Sequence, residues 1–184
     1  MRYHQIMLCE MLELSSAIEE QAAERLTQNI DWGGGGGETV MSMMGYDPND
    51  EENEELDTES PEFQAELMEW ARDRVNNAYY NIEYHFRGDI IHVYRMITAP
   101  PDWKPDPNRH PGDYWAWGED CAEAHWGSFG NGHVKWMMEA DVHTSQIDWV
   151  QTLAVNGTPD SEDECEITLF HGSPVTLSNY KRVK

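Results

Sequence analysis

Between residues 5 and 30 the side chains Met7, Met11, Leu14, Ile18, Ala22 and Leu26 recur at helical spacing, while Glu19, Glu20, Glu24 and Arg25 fall largely elsewhere. This period predicts an amphipathic helix with one buried stripe. A second helix is expected to start at Ser60-Pro61. Ser60 suits the N-cap and Pro61 the first helical position, and Phe63, Leu67, Trp70, Ala71, Arg74 and Ala78 follow at helical spacing. From about residue 89 the period changes to two. Ile91, Val93 and Arg95 point one way, and Ile90, His92, Tyr94 and Met96 the other, as in a strand. The five prolines between Pro100 and Gly112 mark a loop. Gly118 to Trp126 suits a short helix. Residues 134–142, 147–155, 165–170 and 175–177 read as strands, with His171-Gly172-Ser173-Pro174 joining the last two.

Helices first and strands afterwards predict an α+β fold. Residues 1–60 are expected to hold the N-terminal helix, a glycine-rich link and an acidic segment, and residues 61–184 the α+β core. Gly33 to Gly37 is an unbroken glycine run, expected to be a flexible link or a loop. It lacks the Lys-Ser/Thr that would make it a phosphate-binding loop. Met41 to Met44 is short and apolar. Asp47 to Glu59 carries almost no hydrophobes and is expected to be solvated.

Charge changes the picture more than length does. The chain has 184 residues, 39% of them apolar, and 35 acids against 12 Lys and Arg give a net charge of −23. Such a field repels nucleic acid and anionic membrane and favours a basic partner. The bland reading is solubility alone; the sharp one is a decoy that imitates the phosphate rows of DNA and occupies a DNA-binding protein. No apolar run approaches the roughly 20 residues that span a bilayer, and the acids near the N-terminus argue against a secretory leader. Cys9, Cys121 and Cys165 are odd in number, far apart and without a CxxC pair, so three thiols in a reducing, cytoplasmic setting are expected. Asn156-Gly157-Thr158 reads as a turn.

The eight histidines are scattered, and no metal cluster is expected. No GxSxG frame supports a serine hydrolase, though catalytic partners that meet only in space stay open. Three separated segments form a more specific set: Val93-Tyr94-Arg95; the aromatic strand Gly112-Asp113-Tyr114-Trp115-Ala116-Trp117; and Glu164-Cys165-Glu166-Ile167-Thr168-Leu169 followed by Gly172-Ser173.

Their order resembles the mono-ADP-ribosyltransferases of the arginine–serine–glutamate class, over about residues 89 to 180. The resemblance implies a split two-sheet core, NAD as substrate and ADP-ribose passed to a macromolecular acceptor. Carried onto this sequence, Arg95 would grip the pyrophosphate bidentately. Glu166 would stabilise the cationic ribose and bind its 2′-hydroxyl. Glu164 would orient or deprotonate the acceptor. Tyr94 would flank Arg95, and Tyr114, Trp115 and Trp117 would stack on the nicotinamide. Ala116 stands where the family has its first serine. That departure keeps a second function open: a non-catalytic acidic interaction protein, or a phage-type inhibitor, occupying a basic site on a host protein.

Overall fold

The structure, a computed structural model, describes residues 14–32, 35–47, 57–106, 109–124, 132–159 and 165–183. The expected α+β class holds: helices come first, and the described strands form a single antiparallel sheet rather than a split pair. Helix α1 spans Ser16–Asn29 and is capped by Ser15, whose side chain accepts from the Ile18 N–H. Of the expected helix over 5–30, residues 5–13 lie outside the described set. Helix α2 spans Gly36–Met43 and absorbs two residues of the glycine run. A Cβ on Gly37 would meet the Trp32 ring at 2.6 Å, so the glycine is a packing requirement as well as a link. Helix α3, Pro61–Glu83, starts as expected with the Ser60 cap and Pro61 in the first turn.

The strands are β1 (Phe86–Arg87), β2 (Ile90–Ala99), β3 (Tyr114–Ala116), β4 (Val134–His143), β5 (Glu166–Thr168) and β6 (Leu177–Arg182). Their order is β5-β3-β2-β4-β6, with β1 folded back on β2. Helix α4, Glu119–Ala124, follows β3. A 3₁₀ turn at Thr144–Gln146 leads into helix α5, Trp149–Gly157. Residues 147–155 are therefore mostly helix, not the expected strand. Asp148 caps α5 by accepting from the Gln151 N–H at 3.1 Å, a local signal that outweighs the apolar run.

One face of the sheet carries Ile91, Val93, Trp115, Met138, Ala140, Val142 and Ile167. It packs with Leu26 of α1, Val40 of α2, Val75 and Ile82 of α3, and Leu153 of α5 in one core. Helices α1 and α5 approach closely at Gly157, where a Cβ would meet Leu26 Cδ1 at 2.3 Å. The outer edge of β5 is closed by α5. The Asn156 amide donates to the Glu166 carbonyl at 2.7 Å and accepts the Glu166 N–H at 3.0 Å, while Thr152 Oγ1 accepts the Thr168 N–H at 3.0 Å. Side chains thus take the place of a neighbouring strand and remove an open edge. Asn156 and Gly157 end the helix rather than forming the expected turn.

Cys121 and Cys165 are joined in a disulfide with a Cα–Cα distance of 6.0 Å, which corrects the expectation of three thiols. A sequence separation of 44 hides the pairing; α4 and the entry to β5 bring the two cysteines together. Cys9 lies outside the described residues. Among the described residues no helix is long and apolar enough to cross a membrane.

Candidate functional site

The register decides which expected site residues meet. Ala116 lies opposite Tyr94 on one side and Glu166 on the other. Directly paired residues in an antiparallel sheet share a face, and successive residues alternate. Tyr94, Tyr114 and Glu166 therefore lie on one face, and Arg95 and Trp115 on the other. The sequence-derived cleft between Arg95 and Glu166 is not formed, because the two residues are out of phase by one position. Trp115 is buried in the helix-covered core and Trp117 packs at its margin, 6.0 Å from the His85 ring. Neither ring joins Tyr114 in a stacking platform. Glu164 lies outside the described residues.

Arg95 has a structural task instead. Its Nη1 donates to the Tyr114 carbonyl at 2.6 Å, and its guanidinium lies where a Cβ on Gly112 would fall. Gly112 also has φ 109°, so two separate constraints ask for glycine there. Burial draws the Arg95 pKa down, and the nearby Asp113 carboxylate pushes it back up. Around this corner Trp115 Nε1 donates to the Gly112 carbonyl at 2.9 Å, and His171 Nδ1 lies 2.8 Å from Asp113 Oδ2. The His171 hydrogen bond is the largest cause holding the Asp113 pKa below its usual value. Asp113 Oδ1 is buried without a hydrogen bond. His110 Nδ1, 3.5 Å away, already accepts the Gly112 N–H.

The other face of the sheet is polar along its middle. Asp141 Oδ1 and His92 Nδ1 are 2.7 Å apart, and His92 Nε2 lies 3.8 Å from Glu139. Glu139 also takes the Asn179 amide at 3.1 Å and Lys181 at 3.4 Å, and Lys181 pairs with Glu119 of α4 at 2.6 Å. The Glu119 hydrogen bond is the first cause raising the Lys181 pKa. Tyr94 stands edge-on to His92, and Glu166 accepts from the Thr168 hydroxyl at 2.7 Å. This network satisfies itself and presents no nucleophile. Among the described residues no group of three or more His, Cys, Asp or Glu is arranged to hold a metal ion.

Helix α3 offers a surface of another kind. Its buried residues Phe63, Leu67, Ala71, Val75, Ala78 and Ile82 face the core. At about 100° per residue, Glu62, Glu66, Glu69, Asp73, Asn77, Tyr80 and Tyr84 fall in one stripe on the opposite side. All seven are exposed, Tyr80 at 53% and Tyr84 at 87%. The stripe runs for about 33 Å, acidic in its first half and aromatic in its second. Its spacing of four, three and four is legible in the sequence, but the acidity of the whole chain hides it. Comparison with protein-family models, with curated proteins and with solved structures finds no match for this chain.

Proposed function

We propose that this chain is an acidic interaction protein that docks its outward α3 face onto a basic surface of a partner protein, in the place of a polyanion. The observation that carries the reading is the α3 stripe. Four carboxylates stand about one helical turn apart on one helix, Glu66 accepting from the Tyr46 hydroxyl, without a lysine or arginine among them. Two exposed tyrosines continue the same line. Carboxylates steer and orient a basic partner, and tyrosines supply contact area at low entropic cost. The net charge of −23 strengthens the long-range attraction. The NAD-transferase reading has less support, because its arginine and its glutamate lie on opposite faces of the sheet and Ala116 replaces its serine. The cytoplasmic location expected from three thiols loses that support, because Cys121 and Cys165 are joined and structural disulfides persist mainly in oxidising compartments.

The test compares two charge-reversed proteins of equal net charge. One carries Glu62→Lys, Glu66→Lys, Glu69→Lys and Asp73→Lys; the other reverses the exposed residues Glu38, Glu59, Asp102 and Glu123. Partners retained by the parent and released by salt should be lost with the first protein and kept with the second. Equal loss with both would reduce the effect to bulk charge and end the docking reading. NAD consumption, measured as released nicotinamide, should stay at background. Release that disappears with Glu166→Gln would restore the transferase.

A further inference from the structure

A cleft of about 870 Å³ opens between α1, the turn before β2, the 3₁₀ turn and the start of α5. Ile18, Trp149, Val150 and Phe170 give it apolar walls, and Arg25 is the one lysine or arginine among its lining residues. Asp89, His143 and Ser145 line it together. His143 Nδ1 lies 2.8 Å from Ser145 Oγ and accepts the Ser145 backbone N–H at 3.1 Å. A ring nitrogen that accepts a backbone N–H carries no proton of its own in the neutral imidazole, which puts the proton on Nε2. His143 Nε2 faces Asp89 Oδ2 at 4.0 Å. In this tautomer the Nδ1 lone pair is shared between the Ser145 backbone N–H and the Ser145 hydroxyl, and Asp89 acts on Nε2 by charge at 4.0 Å rather than by a hydrogen bond.

The backbone holds the three together. The Asp89 carbonyl accepts the Thr144 N–H at 2.8 Å, and Ile90 pairs with His143 across β2 and β4. Gly88, at φ 65°, makes the tight turn that places Asp89 there. The Gln146 side chain accepts the His143 N–H at 2.8 Å and so fixes the base beside the nucleophile. Asp148, which also lines the cleft, caps the start of α5 by accepting the Gln151 N–H at 3.1 Å.

We infer that this cleft hydrolyses carboxylic esters with a short apolar acyl chain, with Ser145 as nucleophile, His143 as base and Asp89 as a positioning residue. Ser145 Oγ attacks the carbonyl carbon while its proton passes to His143 Nδ1. The tetrahedral intermediate collapses, the ester C–O bond breaks, and the imidazolium returns the proton to the departing alkoxide. Water, deprotonated by His143, then attacks the acyl carbon, the bond to Ser145 Oγ breaks, and the imidazolium returns its proton to Ser145 Oγ, releasing the carboxylic acid and free Ser145. The inference is independent of the α3 docking surface.

The test uses the full chain with p-nitrophenyl acetate and butyrate, and a fluorophosphonate probe located by mass spectrometry. The probe is expected on Ser145. Ser145→Ala and His143→Gln should each lower the rate by about 100-fold or more, and exposed Ser178→Ala should leave it unchanged. Asp89→Asn should lower kcat several-fold with KM unchanged, which loss of a turn contact alone would not do. If His143 and Ser145 only cap the 3₁₀ turn, hydrolysis stays at the rate of free imidazole, persists in Ser145→Ala, or the probe labels another residue. Any of these overturns the inference. Labelling of the parent needs no variant, so a misfolded mutant does not decide the outcome.

Discussion

The two faces of the central sheet share strands and differ in almost everything else. One is covered by α1, α2, α3 and α5 and holds Ile91, Val93, Met138, Val142 and Ile167 at 2% exposure or less. The other carries His92, Tyr94, Glu139, Asp141 and Glu166, and is closed only in part, where α4 packs near Met96 and Met137. Neighbours in sequence therefore live in different physics. Ile167 is held by exclusion from water, and Glu166, one residue away, by hydrogen bonds at a wet surface. A motif that spans both faces is split by its own register.

The largest expected effect lies on the covered face. Ile167→Ala should cost about 2–5 kcal/mol, through lost transfer energy and a residual cavity. Chemical denaturation should show it as a lower midpoint at constant slope. Reducing the disulfide that ties α4 to β5 comes next, at about 2–4 kcal/mol, measured by melting with and without reductant. Because α4 packs on the open side, hydrogen exchange should rise first around Met96 and Met137. Unchanged exchange there would show that α4 is held by packing alone.

Arg95→Ala tests whether this arginine is structural. It should cost about 1–3 kcal/mol, by leaving the Tyr114 carbonyl without its donor and opening space against Gly112. A variant of parental stability would remove that role. Asp113→Asn sharpens the same corner through pH. The folded carboxylate has a lowered pKa, so its stabilising contribution is present above the unfolded value and is lost as pH falls through the folded one. The parent should lose melting temperature on acidification over that window, and Asp113→Asn should lose less. Equal slopes would show that the His171 contact contributes nothing. The smallest effect belongs to Glu166→Gln, under about 1 kcal/mol. A larger loss would mean that the open face is as structural as the covered one.

Much of the fold was legible in the residues. Ser60-Pro61 and the apolar spacing after it give α3 and its start. The alternation from Ile90 to Met96 gives β2, and the prolines give the loop after it. Residues 147–155 were not legible as helix from hydrophobicity, because a short apolar run suits a buried strand and a buried helix alike. Asp148, three residues before Gln151, was the available cue. The expected glycine link was half right in kind: Gly35, at φ 90°, precedes the helix, and Gly36 and Gly37 enter it because Asp31 and Trp32 lie too close for side chains.

What the sequence by itself determined is local: where helices start, which residues of a strand share a face, where glycine or proline interrupts, and that the chain is an intense anion. Only the tertiary structure decided which face of β2 meets which face of β3 and β5. That is a matter of register, set by pairing between segments tens of residues apart, and a shift of one position exchanges every side chain between core and surface. It put Arg95 with Trp115 and Glu166 with Tyr94. The same non-local packing joined Cys121 to Cys165 across 44 residues and set Asp89 beside His143 and Ser145. Each of these groups carries its own chemistry along the chain, but its partner is chosen by the fold.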